Sequence, residues 1–507
     1  MRKLAGTLAA VALVVTSCST GVSAPKAEDS TDAGAAGASL DASNSVSIGY
    51  ILEPVGLDPT RVSGAALDQL VIDNVYEGLT TTDQNGEVTA KLAQSWEISE
   101  DSLTYTFHLR DGVTFHDGSA FDANDVVATL QASAAQDSAN PDHKLMERFA
   151  SATAIDPLTV EVKLSAPDSR FLNTMSTDAA MMVPSDNSVD LNTASNGTGP
   201  YKIEAWQTGS SITLERNENY WGKPAANKKA IFRYYKDQAA ANNALESGEL
   251  DILNVFNNDT VARFSNRDDF VMNEGHQTSW MTLAFNHRHP DLQDERVRHA
   301  IRKAIDKDGL IAALGGQFHR IGSMVGPGEA WFDESLTAID AYDPQGAREL
   351  LRQAGKENLT FTLRVSNSYD PMISEYMKSQ LAKVGITLNI EQIEFATWLD
   401  QVYHGANYEI TMVLHTDPWT LMYYANPKYY WNYDNPKIQA MVNEVIESSA
   451  IAERDDKLKT VARAVSEDAA ADWLFTPKAL TFARKGTSGY PTSRTGSRFP
   501  AYNITTP

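Results

Sequence analysis

The sequence predicts two α/β bodies in series, the first richer in strands. Three observations carry that expectation. The chain has 507 residues, too many for one ordinary core. Strand signals dominate from residue 46 to about residue 280. After that the rhythm changes, and strands alternate with helices of about ten residues, the pattern of βα units on a mixed or parallel sheet. Hydrophobic residues at 42% and charged residues at 21% belong to a folded globular chain. The formal charge of −23 excludes a general phosphate-backbone binder, which needs a basic face to displace counterions.

The first elements precede the fold. Met1-Arg2-Lys3 is a short positive segment, and Leu4 to Val15 is an apolar run too short to span a bilayer as a helix. It ends in Val15-Thr16-Ser17-Cys18, which resembles the lipobox of bacterial lipoproteins. Cys18 is the single cysteine, so no intramolecular disulfide can form. Cleavage before it would remove two basic residues and leave Cys18 to carry a lipid. Residues 19–45 are small and polar, with no aromatic and no periodicity, and read as a flexible tether.

Folded pattern starts at Val46-Ser47-Ile48-Gly49-Tyr50, an alternating strand. In Tyr105-Thr106-Phe107-His108-Leu109-Arg110 the apolar residues share one face, and Asp111-Gly112 supplies the positive φ of a hairpin turn. Asp122 caps a helix through Asp125-Val126-Val127. Leu158–Leu164 and Ser211–Glu215 are further strands. In the second half, residues 294–305 place Val297, Ala300, Ile301, Ala304 and Ile305 at helical spacing. Asp343-Pro344 opens a helix that Gly355 closes. Strand Thr360–Val365, helix Pro371–Val384 stopped by Gly385, strand Ile386–Ile393, helix Thr397–Tyr403 and strand Tyr408–Leu414 follow. Two last helices lie near Ile438–Ile446 and Ala452–Ala469.

Four segments in order carry a resemblance. They are Val75-Tyr76-Glu77-Gly78-Leu79; Leu92-Ala93-Gln94-Ser95-Trp96-Glu97 running on through Asp111-Gly112 and His116-Asp117-Gly118 to Phe121–Val126; Gly197-Thr198-Gly199-Pro200-Tyr201 with Tyr220-Trp221; and Phe285-Asn286 with Arg296–Ala300 and Ala304-Ile305-Asp306. Together they resemble the family five solute-binding proteins of bacterial ABC importers, most like oligopeptide- or dipeptide-binding members. The resemblance implies a bilobed fold of the type II periplasmic-binding-protein kind, two mixed-sheet lobes joined by a hinge. Residues 1–17 would be the signal peptide and 18–45 the tether. Lobe one would comprise 46–79, 195–281 and 478–507, with an accessory domain inserted at 80–194; lobe two would be 282–477.

It also implies the function: a lipid-anchored, extracytoplasmic receptor that captures peptides between its lobes and delivers them to an ABC permease and its ATPase subunits. Such a protein works as a monomer, without nucleic acid or cofactor, and is no enzyme. The peptide's ammonium would meet a carboxylate just after the strand at 408–414, the position of Asp417, in a cleft where an unpaired charge is costly. His415 stands where an aromatic is common, either as a metal-chelate contact or as a hydrogen-bonding replacement. Thr416, Trp419, Phe395 and Trp280 would add cleft contacts, and Ser63-Gly64-Ala65 would let a ligand main chain approach. Arginines that some members use for the ligand carboxylate are matched by Thr411 and Val402, so the carboxyl end would be read elsewhere or left in solvent. His287 and His289 read as a solvated loop, and His116-Asp117 as turn residues without chemistry. The alternative is a receptor for a nickel chelate or another non-peptide solute. A hydrolase has no support, since Gly-x-Ser-x-Gly, His-Glu-x-x-His and Cys-x-x-Cys are absent; an adhesin or peptide chaperone on the same fold would look alike.

Overall fold

The computed structural model describes residues 44–254, 258–416, 420–448 and 451–507. The expected signal segment, Cys18 and nearly all of the tether lie outside the described residues. Among the described residues no helix is long and apolar enough to cross a membrane.

The chain enters on β1 (Ser45–Tyr50) and α1 (Ala65–Val71). It then makes β2 (Thr80–Thr82), β3 (Val88–Ala90), β4 (Ala93–Ile98), β5 (Thr104–Leu109), α2 (Ala123–Ala134), β6 (Phe149–Asp156), β7 (Thr159–Leu164) and α3 (Phe171–Thr174). It continues through β8 (Tyr201–Gln207), β9 (Ser211–Arg216), β10 (Lys229–Tyr234), α4 (Gln238–Ser247), β11 (Ile252–Leu253), α5 (Asn258–Phe264) and β12 (Phe270–Gly275). The second half runs β13 (Trp280–Phe285), α6 (Glu295–Ala304), α7 (Lys307–Ala313), β14 (Phe318–His319), α8 (Pro344–Ala354), β15 (Leu359–Ser366), α9 (Pro371–Ala382) and β16 (Ile386–Ile393). It ends with α10 (Phe395–Trp398), β17 (Ile410–His415), α11 (Pro436–Ile446), α12 (Ile451–Glu467), β18 (Ala471–Pro477) and β19 (Ala479–Arg484).

These strands form a seven-stranded sheet in the order β12-β19-β11-β1-β10-β9-β8 and a six-stranded sheet in the order β14-β18-β13-β17-β15-β16. Both mix parallel and antiparallel pairs. The chain passes between them twice, from β12 to β13 and from β18 to β19. The result is the bilobed mixed α/β fold that the sequence predicts. Strand β13 is buried at all six positions, as a central strand covered on both faces should be. The strands β18 and β19, which the sequence reading did not separate from the preceding helix and the tail, supply the second passage.

Helix ends follow local chemistry. Asp122 forms a capping box with Asp125 ahead of α2, worth about 1 kcal/mol by the usual cost of losing an N-cap. Asp343 caps α8 with Pro344 in its first turn, and Gly355 ends it in the left-handed conformation at φ 67°. The segment expected as one helix at 397–403 is instead a short α turn, α10, continued as a π-helical turn over Leu399–His404.

One expectation is corrected in the four-stranded sheet β4-β5-β7-β6. Gly112 does have positive φ, 74°, but no hairpin partner follows it. Strand β5 already pairs with β4 on one edge and β7 on the other, so the chain after Gly112 has no free edge to join. It closes a smaller loop, in which Phe115 N–H donates to Ser119 O at 2.9 Å. His116 is buried there, hydrogen-bonded to Ser195 Oγ and Gly199 O, and burial pulls its pKa down to about 4. It is a neutral tie.

Two of the sequence segments meet at Glu77, which is fully buried. Its carboxylate accepts from Thr198 Oγ1 at 2.7 Å, Tyr220 OH at 2.7 Å and Trp221 Nε1 at 2.8 Å, and pairs with Lys91 Nζ at 3.1 Å. A buried carboxylate is tolerated because every lone pair is engaged and a cation lies alongside. The glycines of these segments are demanded by close approach. A Cβ on Gly78 would lie 2.0 Å from Met175 O, and one on Gly197 would lie 2.1 Å from Val75 O.

Candidate functional site

Strands β15, β16 and β17 run parallel to one another, so their carboxyl ends, at Ser366, Ile393 and His415, open on one edge of the six-stranded sheet. Loops at that edge carry side chains free to meet a ligand, while the strands hold them rigidly. Strand β13 is antiparallel to β17 and begins here, with Trp280 opposite His415. The edge therefore adjoins the passage between the lobes.

His415 is held in place by aromatics. Its ring stacks on Trp280 at 4.5 Å, and its Nε2 hydrogen-bonds Tyr430 OH at 3.1 Å. Burial brings its pKa down to about 3, so the imidazole is neutral at physiological pH. Trp280 is 1% exposed; it supports His415 from beneath and offers a ligand no face of its own. In this structure β13 is covered on both faces, and the Trp280 ring lies against His415.

Phe395 is the aromatic that does face solvent, at 47% exposure. It lies parallel to Trp398, with ring centres 5.9 Å apart. The Trp398 indole donates to Thr411 Oγ1 at 2.9 Å, and the Thr411 hydroxyl donates to Arg364 O at 2.6 Å. Thr411 and Val402 are both fully buried. The two positions matched to arginines elsewhere thus belong to the packing under the site. Thr416 is exposed. Asp417 and Trp419 lie outside the described residues.

On the other lobe, Gly64 precedes α1 with φ 121°, and a Cβ there would meet nothing within 4 Å. Gly64 and Ala65 are exposed and Ser63 is half-buried. His287 and His289 do not converge. His287 Nε2 bonds Ala470 O at 2.8 Å, with its pKa lowered by burial to about 4, while His289 lies 3.8 Å from Glu409. The loop expected to be solvated is thus tied to the residue just before β18. Among the described residues no three His, Cys, Asp or Glu side chains are grouped to hold a metal ion.

Sequence reasoning missed a cavity of about 260 Å³ whose wall includes Glu87, Asn173, Thr278, Glu329, Trp331 and Arg454. Its residues come from six separate stretches of chain, so no local motif announces it. The one signal was Gly326-Pro327-Gly328-Glu329-Ala330-Trp331, a tight-turn sequence bearing an acid and a large aromatic.

Two lobes joined by two strand passages, with an open edge of parallel strands at the junction, define a two-lobed ligand-binding protein. The comparisons place it further. Residues 87–424 match the bacterial extracellular solute-binding proteins, family 5 (middle region), and the chain belongs to that family. The glutathione-binding protein GsiB of Pectobacterium atrosepticum is 28% identical over 347 residues, 67% of each chain. The dipeptide-binding protein of Escherichia coli is 27% identical over 363 residues, covering 64% of this chain and 67% of its own. The fold is similar to that of the periplasmic binding protein DppA from Helicobacter pylori in complex with the peptide STSA. That match has a TM-score of 0.75 at 23% identity, over 91% of this chain and 97% of the other.

Proposed function

We propose that this protein is the receptor of an ABC importer and that it captures peptides between its lobes. The observation that carries the reading is the edge where β15, β16 and β17 end together beside the interlobe passage, with Asp417 next but one after His415 in the chain. Relatives named for dipeptides and glutathione support a peptide-like ligand. In this reading lobe one is 46–79, 195–281 and 478–507, lobe two is 282–477, and 80–194 is an insert. Asp417 receives the ligand ammonium, with Thr416, Phe395 and Trp419 around it and His415 as a neutral hydrogen-bonding wall. The Ser63–Ala65 loop faces the ligand main chain from lobe one. Lipid on Cys18 anchors a monomer outside the cytoplasmic membrane, within reach of its permease and ATPase partners.

A charge pair formed in a closed, poorly hydrated cleft is worth more than one at a surface. Asp417→Ala is therefore expected to weaken tripeptide binding at least tenfold, or about 1.4 kcal/mol, in isothermal calorimetry. Equal affinity would remove Asp417 as the anchor. Absence of binding by the unaltered protein across a varied peptide set would remove the peptide reading itself.

A further inference from the structure

The cavity beside Thr278 is lined by Glu329, whose carboxylate has no ion-pair partner among the described residues. The turn that presents it closes on itself: Glu329 N–H donates to Gly326 O at 3.1 Å, and Glu329 Oε2 accepts from Gly326 N–H at 2.9 Å. The cation in the wall, Arg454, is engaged elsewhere. It pairs with Asp455 at 2.9 Å and donates to Ser169 O at 3.2 Å and Asn173 Oδ1 at 3.1 Å. Glu87 adds a second carboxylate from the β2–β3 loop. Trp331, 7% exposed, supplies an aromatic surface of the kind that cations favour. The volume of about 260 Å³ corresponds to about eight or nine waters at roughly 30 Å³ each, room for one extended side chain and little more. Thr278 lies two residues before Trp280, which stacks under His415, so the cavity and the strand edge share one stretch of chain.

We propose that this cavity is a subsite for a cationic side chain of the ligand, an ammonium or guanidinium, with Glu329 as its counter-ion and Trp331 alongside. The proposal rests on the peptide reading above. Burial raises the Glu329 carboxyl well above the usual carboxylate range. An arriving cation stabilises the ionised form, and the carboxyl proton leaves to buffer as the ion pair forms. The other titratable or charged groups around it are Glu87, Arg454, Asp455 and His276, which packs on Gly328. Affinity for a cationic peptide should rise with pH until the empty Glu329 is itself ionised.

The test compares Ala-Lys-Ala with Ala-norleucine-Ala by calorimetry at pH 7, in phosphate and in Tris, on the mature protein and on Glu329→Gln. The expected result is at least a tenfold preference for lysine with net proton release on binding, the preference falling below threefold in the variant. Equal binding of the two peptides by the unaltered protein, or a lysine preference that survives in Glu329→Gln, would overturn the subsite and leave the peptide reading standing. If neither peptide binds, the peptide reading fails and the subsite falls with it. Proton release is read on the unaltered protein and so does not depend on the variant folding.

Discussion

Asp178 illustrates how one side chain makes stability depend on pH. It is 5% exposed, and its carboxyl meets the side chain of another acid, Asp68. Burial first, then the neighbouring Asp68 of α1, drive its pKa far above the usual range, against a smaller pull from Arg498. The folded protein therefore keeps a proton there that the unfolded chain releases at about pH 4. Folding stability from this group is greatest below that pH and is lost as pH rises towards the folded pKa. Asp178→Asn keeps the shape and needs no proton. It is expected to raise stability at pH 8 and to flatten the decline between pH 5 and pH 8. Urea titrations at the two pH values measure both effects. A variant less stable at pH 8 would mean that the native carboxylate is ionised and compensated.

At the scale of elements, the glycines of the recurring segments separate two causes that sequence cannot distinguish. Gly112 is needed for its φ of 74° and has open space around it, whereas Gly197 is needed because Val75 O would sit 2.1 Å from a Cβ. Gly197→Ala must move the backbone that carries Thr198 to Glu77, and a loss of about 1–3 kcal/mol is expected from such overpacking. Gly112→Ala should cost about 1 kcal/mol or less, through backbone strain alone. Thermal unfolding of the two variants ranks them, and equal losses would refute the distinction. The same contrast explains what could be read in advance. Caps such as Asp122 and Asp343, and the stop at Gly355, act within four residues and were legible. The buried Thr411 was not, because its partners Arg364 and Trp398 lie 47 and 13 residues away. Nor was the role of Glu77, whose partners Thr198, Tyr220 and Trp221 are 121 to 144 residues distant. The motifs that reveal the family build this joint, and the ligand edge carries no motif of comparable strength.

At the scale of the molecule, the stretch between β7 and α3 reaches across to the six-stranded lobe. Ser169 N–H donates to Ile446 O at 2.9 Å and Ser169 Oγ donates to Val445 O at 2.9 Å. Both acceptors are among the final carbonyls of α11, where hydrogen bonding within the helix runs out. Arg454 of α12 adds its bonds to Ser169 O and Asn173 Oδ1. A rotation at the two strand passages that separates the lobes must break these contacts and leave helix ends and a guanidinium to water. The contacts thus bias the hinge towards the arrangement in which they exist, by a free energy of roughly a few kcal/mol for four hydrogen bonds, two of them from a guanidinium. Ser169→Ala and Arg454→Ala together remove the three side-chain bonds and leave the main-chain bond to Ile446 O, which should shift the ligand-free population towards a more open form. Small-angle scattering is expected to show a larger radius of gyration for the free double variant than for the free unaltered protein, with the two converging at saturating ligand. Identical curves without ligand would show that the hinge rests where it does for reasons other than this bridge. A difference that persists with ligand bound would show instead that the two substitutions had damaged the fold.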